Sequence, residues 1–341
     1  MTRTLLAALA ATVAVPALAQ AQGSGELNLY SSRHYDTDER LYSDFEEETG
    51  ITINRIEGNA DELLARMEAE GANSPADVLL TVDTTRLERA KDMGLLQAVE
   101  SDVLDERIPE NLRDEGGEWF GFSKRARIFF YDPEDVPNPP QTVLALADDA
   151  YEGQVCHRSS TNVYSQTLLS AVIEHHGEEA ARDWAQGVVD NFARAPQGGD
   201  TDQLLGLVSG ECDISVSNTY YFARALRTDV DGLGQEELAQ IEYVFPAMAE
   251  GEGAHINLSG GGVAVNAPNR DNAVAFLEYL ASDSAQQYFA NGNDEYPVVE
   301  GVPLSESVQQ LGELNGDTVD LSAVAQNVEA ANRIFAEVGW E

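Results

Sequence analysis

The sequence predicts an α/β protein made of two doubly wound lobes that are joined by two hinge crossings. Two observations support this fold class. Apolar strands alternate with amphipathic helices along the chain, and this pattern is typical of parallel sheets with helices on both faces. After an N-terminal leader, about 320 residues remain, which is more than one hydrophobic core usually organises.

The first series of elements runs from residue 26 to residue 93. Strands are predicted at 26–30, 51–56 and 77–82, and helices at 38–49, 61–70 and 84–93. Gly50, Gly71 and Gly94 follow the three helices, and glycine in this position is a common helix terminator.

A second series of the same kind follows. An extended segment is predicted at 120–131, and strands at 154–156, 213–217, 241–245 and 263–265. Helices are predicted at 143–149, 164–175, 178–189, 220–226, 272–280 and 284–290. The glycines at 260–262 lack the Lys-Ser/Thr of a phosphate-binding loop, so we interpret them as a flexible turn between the lobes.

The two series define the expected domain boundaries. We expect the first lobe to contain residues 22–119 plus 245–300. The second lobe is expected to contain residues 120–244 plus 301–341. The cleft between them is the expected ligand site.

The N-terminus has the organisation of a secretory signal peptide. Arg3 is followed by an apolar run at 5–19, and Ala17-Leu18-Ala19 has the small-x-small pattern of a cleavage site. We expect a signal peptide at 1–19, with cleavage after Ala19 or Ala21. The run is too short to span a bilayer, so we expect a product in the periplasm without membrane insertion. We also expect this product to be a monomer.

The charge excludes two classes of partner. Sixty acidic residues against twenty basic ones give a net charge of −40. Such a surface repels nucleic acid and anionic membranes. The carboxylates are scattered without the spacing of a calcium-binding loop, so they are interpreted as a solvated acidic coat.

The chain has two cysteines, Cys156 and Cys212. In an oxidising compartment an even number favours a disulfide bond. A redox or metal-binding role would favour a closely spaced pair, which this sequence lacks.

Four tyrosines follow predicted strands at the edge where α/β proteins bind ligands: Tyr35, Tyr164, Tyr220 and Tyr221. Each lies in a segment rich in Ser, Asn or Thr, which are residues that begin helices. A free phenol has a pKa near 10, but a nearby trivalent cation can ionise it, and hard oxygen ligands suit Fe³⁺. For any single tyrosine a packing role is the competing interpretation. The recurrence of the pattern favours a metal site.

Charge counting adds a requirement for nearby cations. Four phenolates around Fe³⁺ leave a net charge of −1 when His34 is neutral. Four arginines of these segments are candidates for offsetting it: Arg33, Arg125, Arg127 and Arg224.

Five segments carry a family resemblance: residues 31–38 (SSRHYDTD), 121–127 (GFSKRAR), 158–166 (RSSTNVYSQ), 210–221 (GECDISVSNTYY) and 255–260 (HINLSG). They resemble the motifs of periplasmic ferric-iron-binding proteins of ABC importers. These are type II periplasmic binding proteins rich in tyrosine. The similarity spans nearly the whole mature chain.

The resemblance implies a ligand set, a cargo and a partner. The ligands would be His34, Tyr35, Tyr164, Tyr220 and Tyr221. The cargo would be iron, most naturally Fe³⁺ but with Fe²⁺ left open, and carbonate could complete the coordination shell. The partner would be a permease in the inner membrane.

Two other functions compete with iron capture. A binding protein of the same fold could hold a phosphonate or thiosulfate through serines at helix N-termini, Arg33 and Arg125. A secreted hydrolase has little support, because no G-x-S-x-G or H-E-x-x-H motif is present. The sequence therefore predicts a transport protein and not an enzyme.

Overall fold

The computed structural model describes residues 25–33, 35 and 37–341. The strands are β1 (Gly25–Ser31), β2 (Ile51–Glu57), β3 (Val78–Thr81), β4 (Leu96–Gln97), β5 (Phe120–Tyr131), β6 (Val155–Cys156), β7 (Ile214–Asn218), β8 (Glu242–Val244), β9 (Ile256–Ala264) and β10 (Tyr296–Pro297). The helices are α1 (Asp38–Thr49), α2 (Ala60–Glu70), α3 (Thr84–Asp92), α4 (Asp102–Arg107), α5 (Val163–Asp190), α6 (Asp200–Val208), α7 (Thr219–Arg227), α8 (Gln235–Leu238), α9 (Arg270–Leu280), α10 (Asp283–Asn293), α11 (Glu306–Leu311), α12 (Leu321–Gln326) and α13 (Val328–Val338). The predicted signal peptide at 1–19 and the predicted ligand His34 lie outside the described residues.

Local sequence explains where several helices begin and end. α1 has the predicted bounds, and Gly50 ends it with a left-handed φ of 72°. The side chain of Asn59 begins α2 by accepting the backbone N–H of Asp61. The helices predicted at 164–175 and 178–189 are one element, α5, which is interrupted at Gly177 by a φ of 81°. Across the described residues, no helix is both long and apolar enough to cross a bilayer.

The strands form one mixed sheet in the order β2-β1-β3-β9-β5-β7-β6. β1 pairs in parallel with β2 and β3, and β6 pairs in parallel with β7. The central pairs are antiparallel, namely β3 with β9, β9 with β5, and β5 with β7. The predicted α/β fold class is confirmed. Two parallel units are joined through antiparallel hinge strands.

Strand β5 connects the two parts of the sheet. Its residues 120–126 pair with β9, and its residues 127–131 pair with β7 and β8. The strand therefore changes partners between Ala126 and Arg127. We call residues 25–126 and 256–297 the first lobe, and residues 127–244 and 306–341 the second lobe. The chain returns to the first lobe between β8 and β9.

The interpretation of Gly260, Gly261 and Gly262 as a flexible turn is wrong. They lie inside β9, the strand between β3 and β5. A Cβ on Gly260 would lie 2.5 Å from the carbonyl oxygen of Phe120, and one on Gly262 would lie 2.2 Å from that of Glu118. The glycines are needed because neighbouring backbone approaches too closely for any side chain.

Each lobe has its own hydrophobic core. In the first lobe Phe45 and Phe276 pack edge to face, with ring centroids 5.1 Å apart. In the second lobe one cluster contains Trp184 and Trp340 and another contains Phe130. Separate cores allow the lobes to behave as separate units.

The disulfide and the C-terminal helices complete the second lobe. The predicted disulfide between Cys156 and Cys212 is confirmed, and it ties β6 to the segment before β7. Helix α11 packs on α7, and α13 packs on α5. α12 contacts both α3 of the first lobe and α5 of the second, so the C-terminal segment bridges the lobes.

Candidate metal centre

The four predicted tyrosines lie at strand-to-helix junctions from both lobes. Tyr35 follows β1 in the first lobe. Tyr164 is in the first turn of α5, where the side chain of Asn162 accepts its backbone N–H at 3.0 Å. Tyr220 and Tyr221 are in the first turn of α7. The start of each helix fixes where its tyrosine points.

The structure brings the four rings together. The hydroxyls of Tyr164 and Tyr220 are 3.2 Å apart. The ring of Tyr220 stacks on that of Tyr221 at 4.3 Å and meets that of Tyr35 edge to face at 6.0 Å. Val82, which follows β3, packs against Tyr35 and Tyr220. Tyr35, Tyr164 and Tyr220 are buried and Tyr221 is half-buried.

Three of the four predicted arginines face these rings. The guanidinium carbon of Arg33 lies 4.6 Å from the ring centroid of Tyr35, and that of Arg125 lies 5.4 Å from that of Tyr164. Arg224 lies 5.5–6.0 Å from the rings of Tyr35, Tyr220 and Tyr221. Guanidinium groups at this distance interact favourably with aromatic faces and would stabilise phenolates.

Arg127, the fourth predicted arginine, has a different environment. Its guanidinium pairs with the buried Asp200 at 3.1 Å and donates to the carbonyl oxygen of Val216 at 3.1 Å. These contacts are within the second lobe. Arg127 therefore supports the sheet beneath α7, and its structural contacts do not include the four rings.

Arg158 was missed among the candidate cations. Its guanidinium carbon lies 5.5 Å from the ring centroid of Tyr164, and its side chain is within 3.8 Å of Asp200. The sequence carried a signal, since Arg158 opens the segment that leads into Tyr164.

Two buried acidic residues next to each other were also missed. The carboxylate of Glu295 lies 3.5 Å from the guanidinium of Arg33 and 3.7 Å from that of Arg125. Asp294 binds Arg227 of α7 at 2.7 Å and has a left-handed φ of 60°. The left-handed backbone ends α10, because Asp294 is the C-terminal cap of that helix, and aspartate adopts this conformation more readily than most residues.

Burial makes the phenols poor ligands unless a cation is present. It raises the pKa of Tyr220 well above its usual value, and neighbouring tyrosines add to the effect. Burial and then Glu295 raise the pKa of Tyr35 in the same direction. Burial followed by Asp200 raises the pKa of Tyr221 to about 12. The phenols of Tyr35, Tyr220 and Tyr221 are therefore protonated near neutral pH unless a strong positive charge displaces their protons.

A cavity of about 460 Å³ gives access to the rings of Tyr164 and Tyr221. Asn59 and Arg86 line it from the first lobe, and Arg158 lines it from the second. Two of the four rings therefore line a cleft between the lobes.

Comparison with known proteins places the chain in a family. Residues 40–316 match bacterial extracellular solute-binding proteins. The chain belongs to this family of solute-binding proteins. Solute binding is a transport function, and the predicted absence of a catalytic motif is consistent with it.

Individual solute-binding proteins resemble the chain closely. Iron uptake protein A1 of Synechocystis is 49% identical over 317 residues, which are 93% of this chain and 88% of that protein. The Trichodesmium FutA structure in complex with iron and citrate has a TM-score of 0.87 and 45% identity. It covers 93% of this chain and 100% of its own. The ferric binding protein of Campylobacter jejuni has a TM-score of 0.87 and 37% identity, covering 92% and 100%.

Proposed function

We propose that this solute-binding protein captures one ferric ion in the cleft between its lobes and delivers it to an ABC permease in the inner membrane. The proposed ligands are Tyr35, Tyr164, Tyr220 and Tyr221, with His34 as a fifth. The observation that supports the proposal is the contact of Tyr35, from the first lobe, with Tyr220 of the second lobe, which itself contacts Tyr164 and Tyr221.

The chemistry of the donor set suits Fe³⁺. Phenolate oxygens are hard donors, and a hard, highly charged cation binds them better than soft ligands. The raised pKa values of Tyr35 and Tyr220 mean that a weakly charged ion would not remove their protons. Arg224, which lies beside the rings of Tyr35, Tyr220 and Tyr221, would offset part of the negative charge of the resulting phenolates.

The competing phosphonate or thiosulfate site is not favoured. It would rely on Arg33 and Arg125, but both guanidiniums face the buried carboxylate of Glu295, and Arg33 also pairs with Asp38 at 2.6 Å. The names of the similar proteins refer to iron, in line with the proposal.

We further propose that the lobes move as units and that iron favours their closed arrangement. Tyr35 belongs to the first lobe and the other three tyrosines to the second, so all four meet the metal only when the lobes are together. A ligand shifts such an equilibrium by its differential affinity for the two arrangements. The closed arrangement is the one that would dock on the permease.

We also propose that the mature protein acts as a monomer in the periplasm. Carbonate would complete the metal shell from the cavity beside Arg158 and Arg86, both of which line it. Fe²⁺ would bind the same residues with more of the phenols protonated, since it offers less charge to displace their protons.

Visible absorption tests the proposal. The purified protein with ferric citrate is expected to show a tyrosinate-to-iron charge-transfer band at one iron per chain. Tyr220→Phe is expected to remove most of the band and to weaken iron binding about 100-fold, the equivalent of roughly 2.7 kcal/mol.

Tyr151→Phe is the matched control. The Tyr151 hydroxyl donates to the carbonyl oxygen of Asn138, away from the four rings, so this variant should keep the band. A wild-type protein that stays colourless with saturating ferric citrate would disprove the tyrosinate site.

A further inference from the structure

Asp83, a buried carboxylate next to the four rings, joins three parts of the molecule. Its Oδ1 accepts the backbone N–H of Thr85 at 3.0 Å and so begins α3 of the first lobe. Its Oδ2 accepts Nδ2 of Asn257 at 2.5 Å, from the hinge strand β9. The same Oδ2 accepts the hydroxyl of Thr167 at 2.8 Å, from α5 of the second lobe.

The Thr167 hydroxyl has one hydrogen and two acceptors at equal distance. Oδ2 of Asp83 and the carbonyl oxygen of Val163 both lie 2.8 Å from Oγ1. An ionised carboxylate is the stronger acceptor, so the hydrogen is directed across the cleft to Asp83. Asp83 and Thr167 are each 1% exposed, and water does not compete for this bond.

The contact lies beside the tyrosines without involving them. Thr167 is one helical turn after Tyr164 in α5. Val82, directly before Asp83, packs with Tyr35 and Tyr220. The bond between Thr167 and Asp83 therefore connects α5, which carries the proposed ligand Tyr164, with the end of β3, where Val82 packs against Tyr35 and Tyr220.

A second bond between the lobes lies next to the first. Arg86, on the first turn of α3, donates to Oε1 of Gln166 in α5 at 3.2 Å. Arg86 also pairs with Asp61 of α2 at 3.2 Å, which fixes its side chain on the first lobe. Both bonds join the start of α3 and its N-terminal cap, in the first lobe, to the start of α5 in the second lobe.

We propose that Asp83 and Thr167 form a latch that holds the lobes closed over the cargo and sets how slowly the cargo leaves. This inference rests on the proposed function. Hydrogen bonds formed only in the closed arrangement stabilise that arrangement and leave the open one unchanged. The latch therefore acts on the dissociation rate. The latch bond includes none of the proposed metal ligands, so the visible charge-transfer band should not depend on it.

The dissociation rate of Fe³⁺ from the full-length mature protein tests the latch. Thr167→Val keeps the shape of the side chain and removes its hydroxyl. We expect excess chelator to strip iron about tenfold faster from this variant, because a hydrogen bond to a charged group is lost. The association rate and the wavelength of the visible band should stay at their wild-type values.

Two further variants control for a general disturbance of α5. Thr167→Ser keeps the donor and should restore slow dissociation. Ser170→Ala removes a buried hydroxyl of the same helix that donates only within it, to the carbonyl oxygen of Gln166 at 2.8 Å. It should behave as the wild type. If Thr167→Val does not fold, Gln166→Ala breaks the neighbouring bond and should speed dissociation about threefold.

The outcomes separate the latch from the metal site. A dissociation rate for Thr167→Val or Gln166→Ala within about twofold of the wild-type rate overturns the latch, since a bond that matters changes the rate more than that. An equal effect of Ser170→Ala also overturns it. A wild-type protein without a visible band overturns the proposed function instead.

Discussion

The second lobe holds three of the four gathered tyrosines, whereas the first lobe holds one. Tyr164, Tyr220 and Tyr221 contact one another within the second lobe, through a hydroxyl pair at 3.2 Å and a ring stack at 4.3 Å. Tyr35 meets them only across the cleft, edge to face at 6.0 Å. The second lobe therefore holds three of the four proposed ligands in mutual contact, as a proposed half-site that the first lobe would complete.

The lobes also differ in how their sheets are held. The second lobe has a disulfide at its edge strand β6, which is followed by Arg158 and then by α5, the helix that carries Tyr164. The first lobe has its glycine strand β9 packed between β3 and β5.

The largest expected effect comes from removing the disulfide. Cys156→Ala combined with Cys212→Ala should lower the unfolding free energy of the second lobe by about 4 kcal/mol, because the bond closes a long loop. The first lobe should be unaffected. Urea unfolding measures the two separately when fluorescence is followed in two backgrounds, one that keeps only Trp119 of the first-lobe core and one that keeps only Trp184 of the second-lobe core.

As a control, a reducing agent should shift the urea unfolding transition of the wild-type protein and leave that of the double variant unchanged. If both tryptophans report the same shift in the variant, the lobes unfold as one cooperative unit and the contrast between them fails.

The next largest effect is the loss of iron affinity when a single tyrosine is replaced, which should differ between the two lobes. Tyr164→Phe should weaken Fe³⁺ binding about 100-fold, while Tyr35→Phe should weaken it about tenfold, differing by roughly 1.4 kcal/mol. The reason is that Tyr164 belongs to the assembled half-site and Tyr35 completes it on closure. Competition with citrate, followed by the visible band, measures both affinities. Equal losses would contradict the half-site.

The smallest effect concerns the hinge between the lobes. Burial, followed by the charges of Arg127 and Arg125 and then His175, lowers the pKa of His255 to about 3. The unfolded chain binds a proton on this ring below about pH 6.5, so stability is lost as the pH falls from 6.5 towards 3. At pH 5 the loss should be about 2 kcal/mol.

His255→Leu isolates this contribution. The variant cannot bind the proton, so its unfolding free energy should fall less between pH 7.5 and pH 5 than that of the wild type, by about 2 kcal/mol. Urea midpoints at the two pH values give the comparison. Parallel pH dependence in the two proteins would show that His255 does not contribute.

The local sequence patterns predicted the positions of helices and strands better than they predicted the hinge between the lobes. α1 has its predicted bounds, and β5 spans the predicted 120–131, because both depend on neighbouring residues and nearby stop signals. β9 was predicted only at 263–265 and its glycines were taken for a turn. Glycine in a strand is explained by what approaches it, and that neighbour is distant in the sequence.

The arginines show the same limit within the site. Arg125 and Arg127 lie two residues apart on β5 and were indistinguishable in the sequence. The strand changes partners just after Ala126, so Arg125 faces Glu295 and Tyr164 while Arg127 binds Asp200. The residue pattern along one strand contains no information on where that strand changes its pairing partner within the sheet.

The sequence by itself determined the α/β elements, the cysteine pair and the tyrosines that begin α5 and α7, because helix caps and strand ends are local. Only the tertiary structure decided which charges accompany those rings. Glu295, Arg158 and the contact between Asp83 and Thr167 bring together residues far apart in the chain. A buried charge is stable only beside its partners, and folding chooses those partners.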